Sequence, residues 1–332
     1  MNTKHAKSLC CKAPIRRFGH RRRQCALCKR TWSIRPKKRG RPLIRMSPKV
    51  LNQIFLKGYT LQHLSHRRPR VGLLNFRHRF RQALNRFVAR PCPQKIPSGP
   101  LTLLADGLYF LFHKKPWVLY LTALKSCRGK TAVFLDPILL PGKEGAGRWR
   151  QVFSAIPPKI RPRIKVLVAD NLNGMKRIAK CENWLLQLCH FHLILKFQIQ
   201  YRRGRRALRG GRIRDEIYRL IRQALETSEE SVFNYSLDRL TRIAQISCGT
   251  PRIQATVRDF LQSVPYFRTY RLHPELNLPT TTNTVESMCC IIRDLLRRNR
   301  CASSPQSLLK WTTALIRLRQ NLICNGKHHQ QI

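Results

Sequence analysis

A chain of 332 residues is long enough for two or three domains, and a hydrophobic content of 42% argues for a real core rather than a ribosomal or histone-like protein. Lys and Arg number 66 against 15 Asp and Glu, a formal net charge of +51 that calls for a polyanionic partner. Nucleic acid fits better than a membrane: there is no run of 18 apolar residues, no lipidation signal and no signal peptide. The 13 cysteines are irregularly spaced, which favours a reducing compartment with some thiols buried and a few ligating metal. The expected location is cytoplasmic and nucleoid-associated. From Met1 to Ala105 there is no acid at all, and the first carboxylate is Asp106.

Residues 1–35 read as a zinc-ribbon-like segment. Cys25 and Cys28 form a Cys-x-x-Cys knuckle, which points two thiolates at one tetrahedral ion. The other half is irregular. Ala13 stands where a partner for Cys10 belongs, so Cys10, Cys11 or His20 must complete the site; the competing reading is a decayed ribbon with ordinary thiols. The candidate zinc ligands are Cys10, Cys11, Cys25 and Cys28. Residues 36–46 form a basic linker in which Arg39-Gly40-Arg41-Pro42 resembles an AT-hook, with both arginines following the backbone into a narrow minor groove. A plain basic linker would look similar.

Residues 47–92 read as a helix-turn-helix. Ser47-Pro48 starts a helix with Val50, Leu51, Ile54 and Phe55 on its apolar face, and Gly58 ends it. Thr60 caps a short helix over Leu61–Leu64. A third pattern, Val71–Val88, carries Arg77, His78, Arg79, Arg81 and Arg86, as a groove-entering or phosphate-tracking helix does. A solvated basic face is the bland alternative. The Pro-rich stretch from Cys92 to Pro100 marks a boundary.

Strands dominate next. Leu101–Phe112, Trp117–Leu124 and Thr131–Leu135 predict an antiparallel meander, Arg148–Ile156 a helix, Ile164–Ala169 a buried strand ending on Asp170, and Trp184–Leu188 another ending on Cys189. Three strands followed by alternating helix and strand is the order of a ribonuclease-H-like core over residues 100–192, with polar chemistry at strand carboxyl ends. Residues 193–279 read as an all-α insertion, with helices over Ile213–Leu225 and Leu237–Ile246. Residues 280–332 return to the core as helices over Val285–Leu296 and Leu308–Leu322.

Two-metal phosphoryl transfer needs several carboxylates around a pair of cations. Asp106 lies inside an apolar strand, where a lone charge is costly unless paired or bound to metal. Asp170 ends a neighbouring strand. Glu286 follows Thr280-Thr281-Thr282-Asn283 at a helix start, although Asn283 and Glu286 also fit a capping box. Glu182 reads as a solvated turn residue. Asp136 is a rival acid, at a strand end expected to point away from the site.

LLADGLYF, VLVADNLNGM, LCHFH and PTTTNTVES, in that order, resemble the Mutator-like transposase superfamily, including bacterial insertion-sequence transposases with an N-terminal zinc-binding segment. The resemblance covers roughly residues 100–320. It implies a ribonuclease-H-like DDE core interrupted by a helical insertion before the Glu. It also implies Asp106, Asp170 and Glu286 as catalytic Mg²⁺ (or Mn²⁺) ligands, spaced 64 and 116 residues apart, and Cys189 and His192 as the family's Cys-x-x-His. That pair could bind zinc, but two ligands do not complete a tetrahedron; ordering the core near the active site or contacting DNA fits it better, and a buried structural pair is preferred to metal binding. The expected activity is DNA transposition, with 3′-end cleavage and strand transfer on double-stranded DNA. The expected assembly is a homodimer or larger oligomer, without a membrane partner. A domesticated or inactive DNA-binding relative is the alternative.

Overall fold

The computed structural model describes residues 7–8, 10–20, 22–33, 46–47, 49–67, 72–91, 95–127, 129–197, 211–246, 250–319 and 321–323. The AT-hook-like Arg39 and Arg41 lie outside them. The chain divides into two compact units, Met1–Ser47 and Pro48–Ile332. No described helix is long and apolar enough to cross a membrane.

The first unit is a small antiparallel sheet of β1 (Ile15–Arg17), β2 (Arg22–Cys25) and β3 (Thr31–Ser33), in that order. Gly19, with φ +73°, allows the tight return from β1 to β2.

The second unit is a mixed α/β structure. It opens with α1 (Lys49–Phe55), α2 (Leu61–His66) and α3 (Leu73–Ala89). Thr60 caps α2 as expected, accepting the His63 N–H at 3.1 Å. Gly58, at φ +76°, makes the α1–α2 turn, and a β-carbon there would lie 2.3 Å from an Arg298 nitrogen. These three helices do not stand apart as a domain. Phe55 and Phe80 pack on Trp311, ring centres 5.3 and 5.1 Å away, because short amphipathic helices bury their apolar stripe only against a neighbour.

The sheet is built from β4 (Leu101–Phe112), β5 (Lys115–Ser126), β6 (Thr131–Phe134), β7 (Ile138–Pro141), β8 (Ile164–Ala169), β9 (Leu185–Leu188) and β10 (Asn321–Ile323). Its order is β10-β6-β5-β4-β8-β9, with β7 also paired to β5. The β4–β5 hairpin turns on His113 and Lys114, both at positive φ, so the predicted meander is present with a tight two-residue turn. Strands β4, β8 and β9 run parallel. Helices α4 (Ala146–Ser154) and α5 (Met175–Cys181) connect them, and α6 (His190–Phe197) follows β9.

The stretch read as an insertion is helical: α7 (Gly211–Glu226), α8 (Glu230–Gln245), α9 (Pro251–Phe267) and the single turn α10 (Thr269–Leu272). Helix α8 starts seven residues before the predicted Leu237. Ile217, Ile221, Val257 and Phe260 share one buried cluster with Leu103, Leu167 and Leu188 of the sheet, so the insertion has no separate core. Helices α11 (Asn283–Asn299) and α12 (Pro305–Leu318) complete the unit.

Two further elements differ from expectation. Strand β7 is absent from the sequence reading, because ILLP after Asp136 is too short to show a period. The predicted helix to Leu322 stops at Leu318, and Asn321–Ile323 pair antiparallel with Val133–Thr131. The outer edge of β6 offers unpaired backbone groups, and an Asn-Leu-Ile segment satisfies them better than a further helical turn.

Candidate functional site

The cysteines of the first unit form one cluster. The ligand atoms of Cys10, Cys11, Cys25 and Cys28 all lie within 4.8 Å of one another, with Cys10 and Cys28 sulfurs 3.4 Å apart. Four thiolates around zinc at about 2.3 Å stand roughly 3.8 Å apart, so this cluster can hold a metal ion such as zinc. His20 is not among the four.

The knuckle register differs from the expected one. The Lys29 N–H bonds the Cys25 carbonyl and the Lys12 N–H bonds the Ser8 carbonyl, at 3.1 and 2.9 Å, and both lysines have left-handed φ. Ser8–Cys11 is therefore the counterpart of Cys25–Cys28. Ser8 occupies the first-cysteine position, its Oγ accepting the Cys11 N–H at 3.4 Å, and Cys10 supplies the missing sulfur. Ala13 was never the relevant position. The buried Ser8 hydroxyl also lies 3.2 Å from the Cys25 sulfur. That bond and the Cys28 N–H draw the Cys25 thiol down to about 6, while its bond with Cys28 pushes the Cys11 thiol up to about 12.

In the second unit the predicted acids gather at one edge of the sheet. Leu104 pairs with Val168, so Asp106 and Asp170 each stand two residues beyond one register pair on adjacent parallel strands. Ala169 pairs with Leu188, and the Cys189 N–H bonds the Ala169 carbonyl at 2.9 Å. Asp106, Asp170 and Cys189 thus follow one another across β4, β8 and β9. Each aspartate is pinned the same way, its Oδ1 accepting the next residue's N–H at 2.8 Å (Gly107) and 2.7 Å (Asn171).

Glu286 reaches this edge from the first turn of α11. The loop before it is laced to β9: the His190 N–H bonds the Thr280 carbonyl at 2.9 Å, and the Thr282 N–H bonds the Cys189 sulfur at 3.3 Å. The N-cap is Thr282, not Asn283, and its hydroxyl donates to Glu286 Oε1 at 2.8 Å. The carboxylate is held by a side chain rather than by the capping box the sequence allowed. Cys289, one turn further on, has its sulfur 3.9 Å from Asp106 Oδ2.

The Cys-x-x-His pair is part of this site. Cys189, His192 and Glu286 place ligand atoms within 4.8 Å of one another, with His192 Nδ1 3.7 Å from Glu286 Oε1. Burial pushes Glu286 up to about 7 and raises Asp106, against the pull of His192. Burial works to lower His192, but the Cys189 sulfur and the charges of Asp170 and Asp106 outweigh it and hold the imidazole at about 10.

Glu144, in the loop before α4, is a further acid that the sequence reading passed over. It accepts the Trp149 Nε1–H at 2.8 Å, and its carboxyl is raised first by burial and then by the charges of Asp106 and Asp170. A β-carbon on Gly107 would lie 2.9 Å from Glu144 Oε1, which gives the Asp-Gly pair a steric reason. Its setting, Lys143-Glu144-Gly145, resembles a solvated loop; only the scarcity of acids in the chain could have flagged it. Asp106 and Asp170 lie near enough for their charges to act on each other and on Glu286 and Glu144.

The other acids are engaged elsewhere. Glu182 is not solvated but accepts a two-pronged bond from Arg161, whose Nε lies 2.8 Å away. Asp136 pairs with Arg317, 2.9 Å from its Nε. On α3, Arg77 and Arg81 are exposed, while Arg79 is half-buried and bonds Asn75 at 3.0 Å. The chain matches no protein-family model and no curated protein.

Proposed function

We propose that this chain is a DDE-type DNA transposase that binds the terminal repeats of a mobile element, cleaves to free its 3′ ends and joins them to target DNA. The observation that carries the reading is the grouping of Asp106, Asp170 and Glu286, far apart in sequence, at the carboxyl edge of a mixed sheet in a chain of net charge +51. The element order supports it. Antiparallel β4, β5 and β6 with the short β7 also on β5, then parallel β8 and β9, then helices before the Glu-bearing α11, fit the order of a ribonuclease-H-like core with a helical insertion and one added short strand.

When bound, Mg²⁺ or Mn²⁺ at such carboxylates activates the attacking oxygen and stabilises the leaving 3′ oxygen. On this reading Asp106, Asp170 and Glu286 would be the ligands, and their side chains are held by backbone bonds to Gly107 and Asn171 and by the Thr282 hydroxyl. His192, cationic at neutral pH, offsets the negative charge of these neighbours. In cleavage a water oxygen bonds to phosphorus and the bond to the 3′ oxygen breaks, leaving a 3′-OH and a 5′-phosphate. In joining, that 3′-OH attacks a target phosphodiester and displaces the target's 3′ oxygen. One phosphodiester replaces another, so no covalent protein intermediate is needed.

Arg77, Arg79 and Arg81 on α3, with Arg39 and Arg41 before it, are the expected DNA contacts, and each phosphate contact adds to the salt dependence of binding. Two ends must be brought together, so a dimer or larger assembly is part of the reading. The test is incubation of the full chain and Mg²⁺ or Mn²⁺ with DNA that flanks its own coding sequence. Nicks at the element ends and joined products that disappear in Asp170→Ala are expected. No products, or the same products from both proteins, would leave the DNA-binding relative as the better reading.

A further inference from the structure

Three side chains at the end of β9 carry a chemistry that the oxygen-donor cluster does not need. The Cys189 sulfur lies 4.0 Å from Glu286 Oε1 and His192 Nδ1 lies 3.7 Å from the same oxygen. The distances between ligands on a tetrahedral zinc are roughly 3.6 Å for sulfur and oxygen and 3.4 Å for nitrogen and oxygen, given the usual bond lengths. Both separations from Glu286 need to close by only a few tenths of an ångström, and all three atoms lie within 4.8 Å of one another. Hard cations take oxygen ligands, whereas a thiolate and an imidazole select zinc-like ions.

We propose that Cys189, His192 and Glu286 form a site for a soft divalent cation, zinc by ligand class, and that its occupation withdraws Glu286 from the carboxylate cluster. Three protein ligands leave one tetrahedral position open, the arrangement of zinc sites that exchange a water or an oxygen ligand. His192 Nδ1 is buried and has no hydrogen-bond partner, so it is directed at Glu286 without being satisfied by the protein. Thr282 supplies the outer support, donating its hydroxyl to Glu286 Oε1 and its backbone N–H to the Cys189 sulfur, at 2.8 and 3.3 Å. Such partners orient metal ligands and contribute strongly to affinity. On binding, the Cys189 thiol and the His192 imidazolium each give a proton to solvent, Glu286 gives up any it holds, and the sulfur bonds the ion in place of its contact with Glu286. Glu286 cannot then serve both ions, so zinc opposes a hard cation there. The binding stands on geometry alone; the loss of activity rests on the transposase reading.

The test is zinc stoichiometry and affinity of the full chain, with cobalt substitution as the spectroscopic readout and circular dichroism to check folding. One equivalent that survives Cys25→Ser is expected to disappear in Cys189→Ser and His192→Asn, with a one-thiolate cobalt charge-transfer band vanishing in parallel. Thr282→Val, close to isosteric, is expected to weaken the site about 10–100-fold. If Cys189→Ser does not fold, His192→Asn, at a side chain 24% exposed, carries the same comparison. Retention of no equivalent in Cys25→Ser, or retention indifferent to both His192→Asn and Cys189→Ser, would overturn the proposal. Because the readout needs no DNA, zinc binding at this site by a chain that also fails to cleave DNA with Mg²⁺ when the site is free of zinc would count against the transposase reading alone.

Discussion

The two clusters are assembled in opposite ways. The four-cysteine cluster lies within the 21 residues from Ser8 to Cys28, and three of its cysteines, Cys10, Cys11 and Cys28, are exposed. The acidic cluster draws on residues from Asp106 to Glu286, and burial is the first cause of the raised carboxyls of Asp106, Glu144 and Glu286. A local knuckle has little core behind it, so the ion must do much of the organising. The acidic site is preformed by sheet register and a large hydrophobic core, and its unmet requirement is charge. On the proposed reading, an ion at the first site would organise its fold, and a cation at the second would offset the charge of its carboxylates.

The sharpest break in this comparison is removal of a knuckle cysteine. Cys25→Ser is expected to abolish zinc binding at the four-cysteine cluster and cooperative folding of the first unit, while the melting of the second unit stays in place. Metal analysis with calorimetry reads both, and a loss of both transitions would show that the two units are not independent.

The next effect concerns pH. Glu286 lies at about 7 in the folded chain against 4.5 for the ordinary carboxyl, so its contribution to stability is fully present below 4.5 and is lost as pH rises to about 7. At 1.36 kcal/mol per pH unit this is at most about 3 kcal/mol. His192, raised from 6.5 to about 10, has the same sign in a later window: its contribution is present below 6.5 and lost as pH rises through about 10. Without divalent cations the second unit is therefore expected to lose stability from pH 5 to pH 9, and Mg²⁺ to restore more at the upper end. Denaturant titrations at several pH values check it; a flat or rising profile would contradict a preformed, under-neutralised site.

Smaller again is Gly107→Ala. Its new β-carbon would displace the Glu144 carboxylate from 2.9 Å and disturb the Trp149 bond, for about 1 kcal/mol of stability. If Glu144 belongs to the cation site, Mg²⁺ affinity falls as well; unchanged affinity would confine Glu144 to a packing role. The smallest change is expected from Ser8→Cys combined with Cys10→Ser. It moves one sulfur to the regular knuckle position, so zinc binding should persist, whereas Cys10→Ser alone should weaken it. Loss of zinc in the double variant would refute the Ser8–Cys11 register.

What the sequence revealed follows the same division. The apolar runs Leu101–Phe112 and Ile164–Ala169 announce strands, because buried strands are rich in branched residues and bounded by turns. The placement of Asp106 beside Asp170 was not legible from either run. It arises from parallel pairing across residues far apart, which no local pattern encodes. The knuckle was legible as chemistry but misjudged in register, since Ser8 does not look like a cysteine until the backbone bonds of Lys12 and Lys29 are compared. Cys189 and His192 looked like an incomplete metal pair because their third partner lies on α11, brought there by the Thr280 and Thr282 bonds. Glu182 looked solvated because its partner Arg161 is 21 residues away.

The most direct test of the central claim is a change of cation preference at Asp170. In Asp170→Cys, strand cleavage of flanking DNA with Mg²⁺ is expected to fall roughly 10³-fold or more, the scale seen when one group acting in the transition state is removed. Mn²⁺, which tolerates sulfur better, should recover part of it. DNA binding should remain unchanged in both conditions. Cleavage by Asp170→Cys at the wild-type rate in Mg²⁺ would contradict the assignment of Asp170 as a ligand of the catalytic cation.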